Sequence, residues 1–121
     1  MREADIQNSI RLHISSKKLA TIFRANVGEA WTGDVVRNHD GSITIYNPRR
    51  FNTGLPQGFS DLFGVCPSGQ AVFIEVKAEK GRPTKEQVNF LEVMRSQGAL
   101  TGIARSADDA ENIIRGRGSI K

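Results

Sequence analysis

Residues 70–77, with the sequence Gln-Ala-Val-Phe-Ile-Glu-Val-Lys, decide the fold of this 121-residue chain. The stretch is rich in β-branched and aromatic residues and contains no Gly or Pro, which is typical of a strand. Because side chains alternate along a strand, Val72 and Val76 share one face, and Glu75 and Lys77 share the other at a spacing of about 6.6 Å. An unpaired charge on a mostly apolar strand is costly. The pair therefore predicts a site for a divalent metal and a phosphate.

A second acid lies on the neighbouring strand candidate. Residues 60–66 also read as a strand, and the turn at 67–69 joins it to residues 70–77, which predicts an antiparallel hairpin. Counting back from the turn places Asp61 opposite Glu75, and directly opposed residues have Cβ atoms about 5 Å apart. Two like charges at that distance repel unless a cation lies between them. The alternative explanation is a surface salt bridge, formed with Lys77 on an edge strand.

The other segments complete a mixed α/β pattern. Asp40-Gly41 is a turn signal between two short strand candidates. The predicted order comprises a helix at 3–18, a strand at 20–27, short strands near 35–36 and 42–46, an irregular loop at 47–58, the hairpin, a helix from 84 to 97, a strand at 99–105 and a last helix capped by Ser106. A helix between strands 70–77 and 99–105 is long enough for a crossover, so part of the sheet is expected to be parallel. We expect one domain over residues 1–121, with a basic, Gly-rich tail at 115–121 that frays.

Composition narrows the function class. The net charge is +4, which suits a polyanionic partner. No apolar run approaches the roughly 20 residues of a membrane span, and the charged N-terminus lacks the apolar centre of a signal peptide. An intracellular protein without a membrane partner is therefore expected. The single cysteine, Cys66, excludes an internal disulfide and a cysteine-rich zinc site, and its place in an apolar run indicates core packing.

The order of Asp61 and the Glu75-X-Lys77 motif resembles the signature of the PD-(D/E)XK nuclease superfamily, with Ser60 where a Pro usually precedes the acid. The resemblance extends further along the chain. Together with Glu3 in the first helix and Gln87 in a later one, the segments at 24–28, 58–62, 74–77 and 81–84 resemble a stand-alone VRR-NUC domain, the virus-type replication–repair nuclease. This resemblance covers nearly the whole chain, and residues 29–57 match the family pattern least.

This resemblance implies a restriction-endonuclease-like core, with a central mixed sheet flanked by helices. It also implies Mg²⁺- or Mn²⁺-dependent hydrolysis of phosphodiester bonds in DNA. Small members of the family resemble homodimeric enzymes that act on branched DNA such as four-way (Holliday) junctions, and many are encoded by phages, so a phage or bacterial origin is expected. The alternatives are a nuclease of the same fold that cuts linear, nicked or flap DNA, and a non-catalytic DNA-binding module.

The candidate site residues follow from these motifs. Asp61 and Glu75 are expected to hold the metal, with the carbonyl of Val76 as a further ligand. Lys77 is expected to orient the attacking water or to stabilise charge in the transition state. The roles of two further residues each have two possible explanations from the sequence. Gln87 forms a capping box with Thr84, reaches the active site as in the family pattern, or does both. Glu3 interacts with the helix dipole or reaches the metal.

The remaining candidates concern DNA. We expect contacts to the phosphate backbone from five basic residues, namely Arg49, Arg50, Lys80, Arg82 and Lys85. Trp31 and Tyr46 either stack on unpaired bases or pack in the core, and core packing is the favoured explanation. His13 and His39 match no metal-ligand spacing and are expected to be structural or solvent-exposed.

Overall fold

The computed structural model describes residues 1–121, which form two compact units: Met1–Ala25 with Gly58–Lys121, and Asn26–Gln57. In chain order the elements are α1 (Glu3–Ser16), β1 (Thr21–Arg24), β2 (Glu29–Arg37), β3 (Ile43–Asn52), β4 (Leu62–Val65), β5 (Ala71–Val76), α2 (Lys85–Ser96), β6 (Leu100–Ala104) and α3 (Ala107–Ile114). None of the helices is both long and apolar enough to cross a bilayer.

The first unit is built on a mixed four-stranded sheet in the order β1-β4-β5-β6. β1, β4 and β5 pair antiparallel, whereas β5 and β6 pair parallel. Helix α2 provides the crossover that parallel pairing requires. These observations confirm the predicted fold class, a mixed sheet flanked by helices.

The aliphatic face of β5 carries the core. Its three aliphatic side chains, at positions 72, 74 and 76, are buried against α1 and α3, with Ile10 and Ile113 among their neighbours. The opposite face packs against α2, where the ring centroids of Phe73 and Phe90 lie 5.4 Å apart. The predicted alternation is therefore confirmed. Cys66 packs against the edge of the aliphatic core, and burial raises the pKa of its thiol.

A polar cluster joins α1 to α3. Glu111 Oε1 lies 2.8 Å from His13 Nε2 and 3.2 Å from Lys17 Nζ, and Arg115 Nε donates to its second oxygen at 2.9 Å. The hydrogen bonds with His13, Arg115 and Lys17 lower the pKa of Glu111 to about 2. His13 thus has the structural role expected of it.

Within the tail predicted to fray (115–121), residues 118 and 119 lie beside β6 and α2 and form hydrogen bonds with them. The backbone N–H of Ile103 donates to the Ser119 carbonyl at 2.7 Å, and Arg95 Nη2 donates to the Gly118 carbonyl at 3.1 Å. A Cβ on Gly118 would lie 2.6 Å from the Thr101 carbonyl oxygen, so only glycine allows the tail to approach so closely. Gly118, one of the glycines that suggested mobility, is thus required for this packing.

The second unit is a two-stranded antiparallel hairpin of β2 and β3, hereafter the ribbon (residues 29–52). The prediction of an irregular loop from residue 47 is wrong as far as Asn52, because β3 continues past Pro48. The pairing register shifts between Thr32 and Asp34, and Asn47 adopts a φ of +52°. This bulge accommodates Pro48, which has no N–H to donate to the pairing.

Candidate active site

The two acids predicted to share a site are adjacent across β4 and β5. Leu62 pairs with Ile74, so the next pair outward places Asp61 opposite Glu75. Asp61 directly precedes β4, and Glu75 is the penultimate residue of β5. The side chain of Asp61 also crosses to β5, where its Oδ2 accepts a hydrogen bond of 2.9 Å from the backbone N–H of Val76. The predicted proximity of the two carboxyl groups is therefore present in the structure.

Neighbouring backbone contacts hold Asp61 in place. The fully buried Ser60 donates its hydroxyl to the Leu62 carbonyl at 2.8 Å. The Asp61 carbonyl accepts a hydrogen bond of 2.9 Å from Ala25, which follows β1. Ser60 thus fixes the chain just before the acid through a buried hydrogen bond, at the position where the superfamily pattern usually has a proline.

Glu75 is buried, and one of its two carboxylate oxygens lacks a hydrogen-bond partner. Its exposed fraction is 2%, and its Oε2 atom has no hydrogen-bond partner. Burial, a hydrogen bond shared with Asp61 and the negative charge of Asp61 raise the pKa of Glu75 to about 9. In the absence of a cation, Glu75 is therefore protonated at neutral pH.

Lys77 and Glu3 belong to the same site. The positive charge of Lys77 lowers the pKa of Glu75 and the negative charge of Glu3 raises it, so both side chains act on this carboxyl group. Glu3 Oε2 would lie 3.5 Å from a Cβ atom added to Gly81, in the loop after β5. However, no group of three or more His, Cys, Asp or Glu side chains converges as a ready-made metal cluster. Glu3 thus influences Glu75 only through its charge, whereas Asp61 also forms a hydrogen bond with it.

This donor set fits a hard divalent cation. Two adjacent carboxyl groups and no imidazole or thiolate suit Mg²⁺ or Mn²⁺, which prefer oxygen ligands. The buried Oε2 of Glu75 supplies the decisive observation, because an unpartnered polar atom at such a position is costly and a cation would satisfy it. Asp61 and Glu75 are thus the residues that would hold the metal.

The comparison with known families agrees with this geometry. The model of the VRR-NUC domain matches residues 3–108. This chain belongs to the VRR-NUC family. A solved structure described as a VRR_NUC domain has a TM-score of 0.59 with this chain at 18% identity, covering 93% of this chain and 94% of that chain. At this identity the likeness supports the fold. No curated protein matches the chain. The chain is thus a nuclease-type DNA-processing domain with a restriction-endonuclease-like core.

In this VRR-NUC domain, Gln87 caps α2. Its backbone N–H donates to Thr84 Oγ1 at 3.2 Å, and its side-chain Oε1 accepts from the Thr84 N–H at 2.9 Å. The capping explanation is confirmed. A role of Gln87 in the active site stays a prediction, and the side-chain nitrogen is the atom left for it.

A matched pair of variants separates the two roles of Gln87. Thr84→Ala and Gln87→Ala each break the same capping box, so each is expected to lower the free energy of unfolding by about 1 kcal/mol. Only Gln87→Ala should also lower the cleavage rate, measured under conditions in which both variants are fully folded. If its side-chain amide orients a reacting group, the rate should fall by about tenfold. Urea unfolding and single-turnover cleavage measure the two quantities. Equal cleavage rates for both variants would leave Gln87 as a cap only.

The basic residues predicted to contact DNA lie in two places. Lys80, Arg82 and Lys85 are exposed in the loop after β5 and at the start of α2, and none pairs with an acid. Arg49 and Arg50 lie in β3 of the ribbon, on opposite faces because consecutive strand residues alternate. The prediction that they occupy a loop is therefore wrong, whereas their contact with DNA stays a prediction.

The structure adds site-supporting residues that the sequence did not single out. Phe63 and Phe73 lie two residues along the strands from Asp61 and Glu75, and Phe59 packs against both at ring-centroid distances of 5.5 and 5.9 Å. This aromatic cluster makes the face beside the acids apolar. Arg105 Nη2 donates to the Gly81 carbonyl at 2.7 Å and thereby anchors the loop beside Glu3. The two-residue spacing of the phenylalanines from the acids was a usable signal, whereas the Arg105 contact had none.

Proposed function

We propose that this VRR-NUC domain is a metal-dependent endonuclease that hydrolyses phosphodiester bonds in branched DNA, with four-way junctions as the favoured substrate. The observation that carries the proposal is the buried Glu75 beside the half-buried Asp61, because one carboxylate oxygen of Glu75 has no hydrogen-bond partner. A structural role does not explain why a buried carboxyl group lies beside a second acid while one of its oxygens has no hydrogen-bond partner. A cation that also binds a phosphate does explain it.

The residues divide the chemistry between them. When bound between these acids, Mg²⁺ or Mn²⁺ would lower the pKa of a water ligand and would neutralise negative charge on the scissile phosphate. Asp61 is fixed by the Val76 N–H, so its carboxylate is oriented before any substrate arrives. Glu75 completes the donor pair, and the carbonyl of Val76 is the third proposed ligand. Lys77 shares the face of Glu75 and is proposed to orient the attacking water or to stabilise the charge that develops on the phosphate oxygens.

DNA is held through its backbone in this proposal. Lys80, Arg82 and Lys85 are unpaired cations close in sequence to Lys77, which favours contacts with phosphates next to the cleaved bond. Such contacts recognise shape and charge, so affinity should fall steeply as salt rises. Coordinated cleavage of two opposed strands needs two active sites, and one chain brings one. A symmetric homodimer is therefore part of the proposal.

Cleavage of a panel of substrates tests the proposal. Four-way junction, flap, nicked and linear duplex DNA of identical sequence are incubated with the protein in Mn²⁺, in Mg²⁺ and in EDTA, and light scattering gives the mass of the complex. We expect cleavage only with a divalent metal, junction cut fastest, and two protein copies on each junction. Preference for linear, nicked or flap DNA would contradict the junction assignment. Binding of DNA without any cleavage would favour a non-catalytic module.

A further inference from the structure

The ribbon exposes large aromatic side chains that the chain itself does not cover. Trp31 and Tyr46 are each 56% exposed, and no residue of Asn26–Gln57 is fully buried. The expectation that these two rings pack in the core is therefore wrong. A two-stranded hairpin has no core of its own, so an exposed ring on it is available to a partner.

Trp31 is held in a fixed arrangement. It pairs with Arg50 across the two strands, and the guanidinium carbon of Arg50 lies 5.3 Å from the centroid of the indole ring. Arg50 Nη1 is in turn 3.4 Å from Glu29 Oε2, two residues before Trp31. The guanidinium occupies one side of the ring while more than half of the Trp31 surface stays in solvent. The indole is thus oriented before any ligand binds.

We infer that Trp31 is a stacking platform for an unpaired base of the DNA substrate. This inference rests on the proposed function and adds to it a requirement for unpaired nucleotides in the bound DNA. Stacking on an aromatic ring needs a base whose face is free, as in a single strand, a flap or the centre of a junction. Bases within an intact duplex already stack on each other and offer no free face.

The charges around Trp31 favour a nucleotide, and not a protein surface, as the ligand that covers the indole ring. A protein partner that covered the ring would also desolvate the Arg50–Glu29 pair, which is costly unless further hydrogen bonds compensate. A single stacked base covers the ring and leaves this exposed pair in water.

Trp31 is the only tryptophan in the chain, so its fluorescence reports directly on the ribbon. The full-length Asp61→Asn variant is titrated in EDTA with an oligothymidylate, a forked duplex and a blunt duplex of equal length, and anisotropy of labelled DNA measures binding in parallel. We expect the oligothymidylate and the fork to quench Trp31 strongly and the blunt duplex to leave its emission nearly unchanged.

Substitutions give a second readout. Trp31→Ala should weaken binding of the oligothymidylate about 5- to 100-fold and of the blunt duplex less than about twofold, whereas Trp31→Phe should retain most of the single-strand affinity. Val35→Ala is the matched control, because Val35 is 59% exposed on the same ribbon but has no ring. It should leave both affinities unchanged.

Each contrary outcome is distinguishable. DNA binding without quenching, or equal quenching by duplex and single strand, overturns the stacking role and leaves the nuclease proposal intact. Emission that changes with protein concentration in the absence of DNA identifies the ribbon as a contact between copies of the chain, which also overturns it. If no DNA changes the anisotropy, the proposed function fails together with this inference.

Discussion

Asp61→Asn, Glu75→Gln and Lys77→Met will each lower the rate of DNA cleavage by about 10³-fold or more. The two acid variants keep the shape of the side chain but remove the anionic oxygens that would bind a cation. The lysine variant keeps the aliphatic stem and removes the charge beside Glu75. Because these changes act on the reacting phosphate, binding of uncleaved junction DNA should change little, and the two acid variants should bind it at least as tightly as the parent.

The measurement is single-turnover cleavage of a labelled four-way junction in Mn²⁺, combined with anisotropy in EDTA. Glu92→Gln is a suitable control, because Glu92 is an exposed acid of α2 outside the acidic pair. It should cut at the parental rate. A variant of Asp61, Glu75 or Lys77 that retains the parental rate while folded would remove that residue from the proposed mechanism.

The sequence predicted the geometry of this site because the relevant signals are local. A three-residue turn joins two strands of alternating side chains, so the pairing register follows from counting, and the observed pairs from Leu62–Ile74 to Val65–Ala71 agree with it. The parallel pairing of β5 with β6 followed in the same way from the length of the intervening helix. Short-range pattern and chain connectivity were sufficient in both cases.

Other features depend on contacts that a single sequence does not display. Pro48 and Asn47 read as loop residues, but a register shift opposite them lets β3 continue. Gly118 read as a flexible residue, whereas its missing side chain is what admits the tail against Thr101. The aromatic cluster also depends on distant segments, because the loop before β4 and α2 bring Phe59 and Phe90 onto the face of the sheet that carries Phe73. Glycine and proline thus indicate a local conformation but not the neighbours that stabilise it.

Without divalent cations, Glu75→Gln will make the protein more stable than the parent at pH 8, by about 5 kcal/mol, and about equally stable at pH 4. The pKa of Glu75 is raised from 4.5 to about 9, first by burial and then by Asp61. The folded state therefore holds a proton that the unfolded state releases between these values. For a group with a raised pKa, the stability contribution is complete below pH 4.5 and is lost as the pH rises towards 9. Glutamine cannot ionise and avoids this loss.

Divalent cations should reverse the order of stability. A cation that binds the folded parent stabilises it by mass action, whereas Glu75→Gln lacks one of the two anionic ligands and gains little. Urea unfolding followed by circular dichroism at pH 4, 6 and 8, in EDTA and in Mn²⁺, measures both effects, and Glu92→Gln serves again as the exposed-acid control. If the parent and Glu75→Gln show the same pH dependence in EDTA, Glu75 ionises like a solvated carboxyl group. The buried, cation-requiring acid on which the nuclease proposal depends would then be absent.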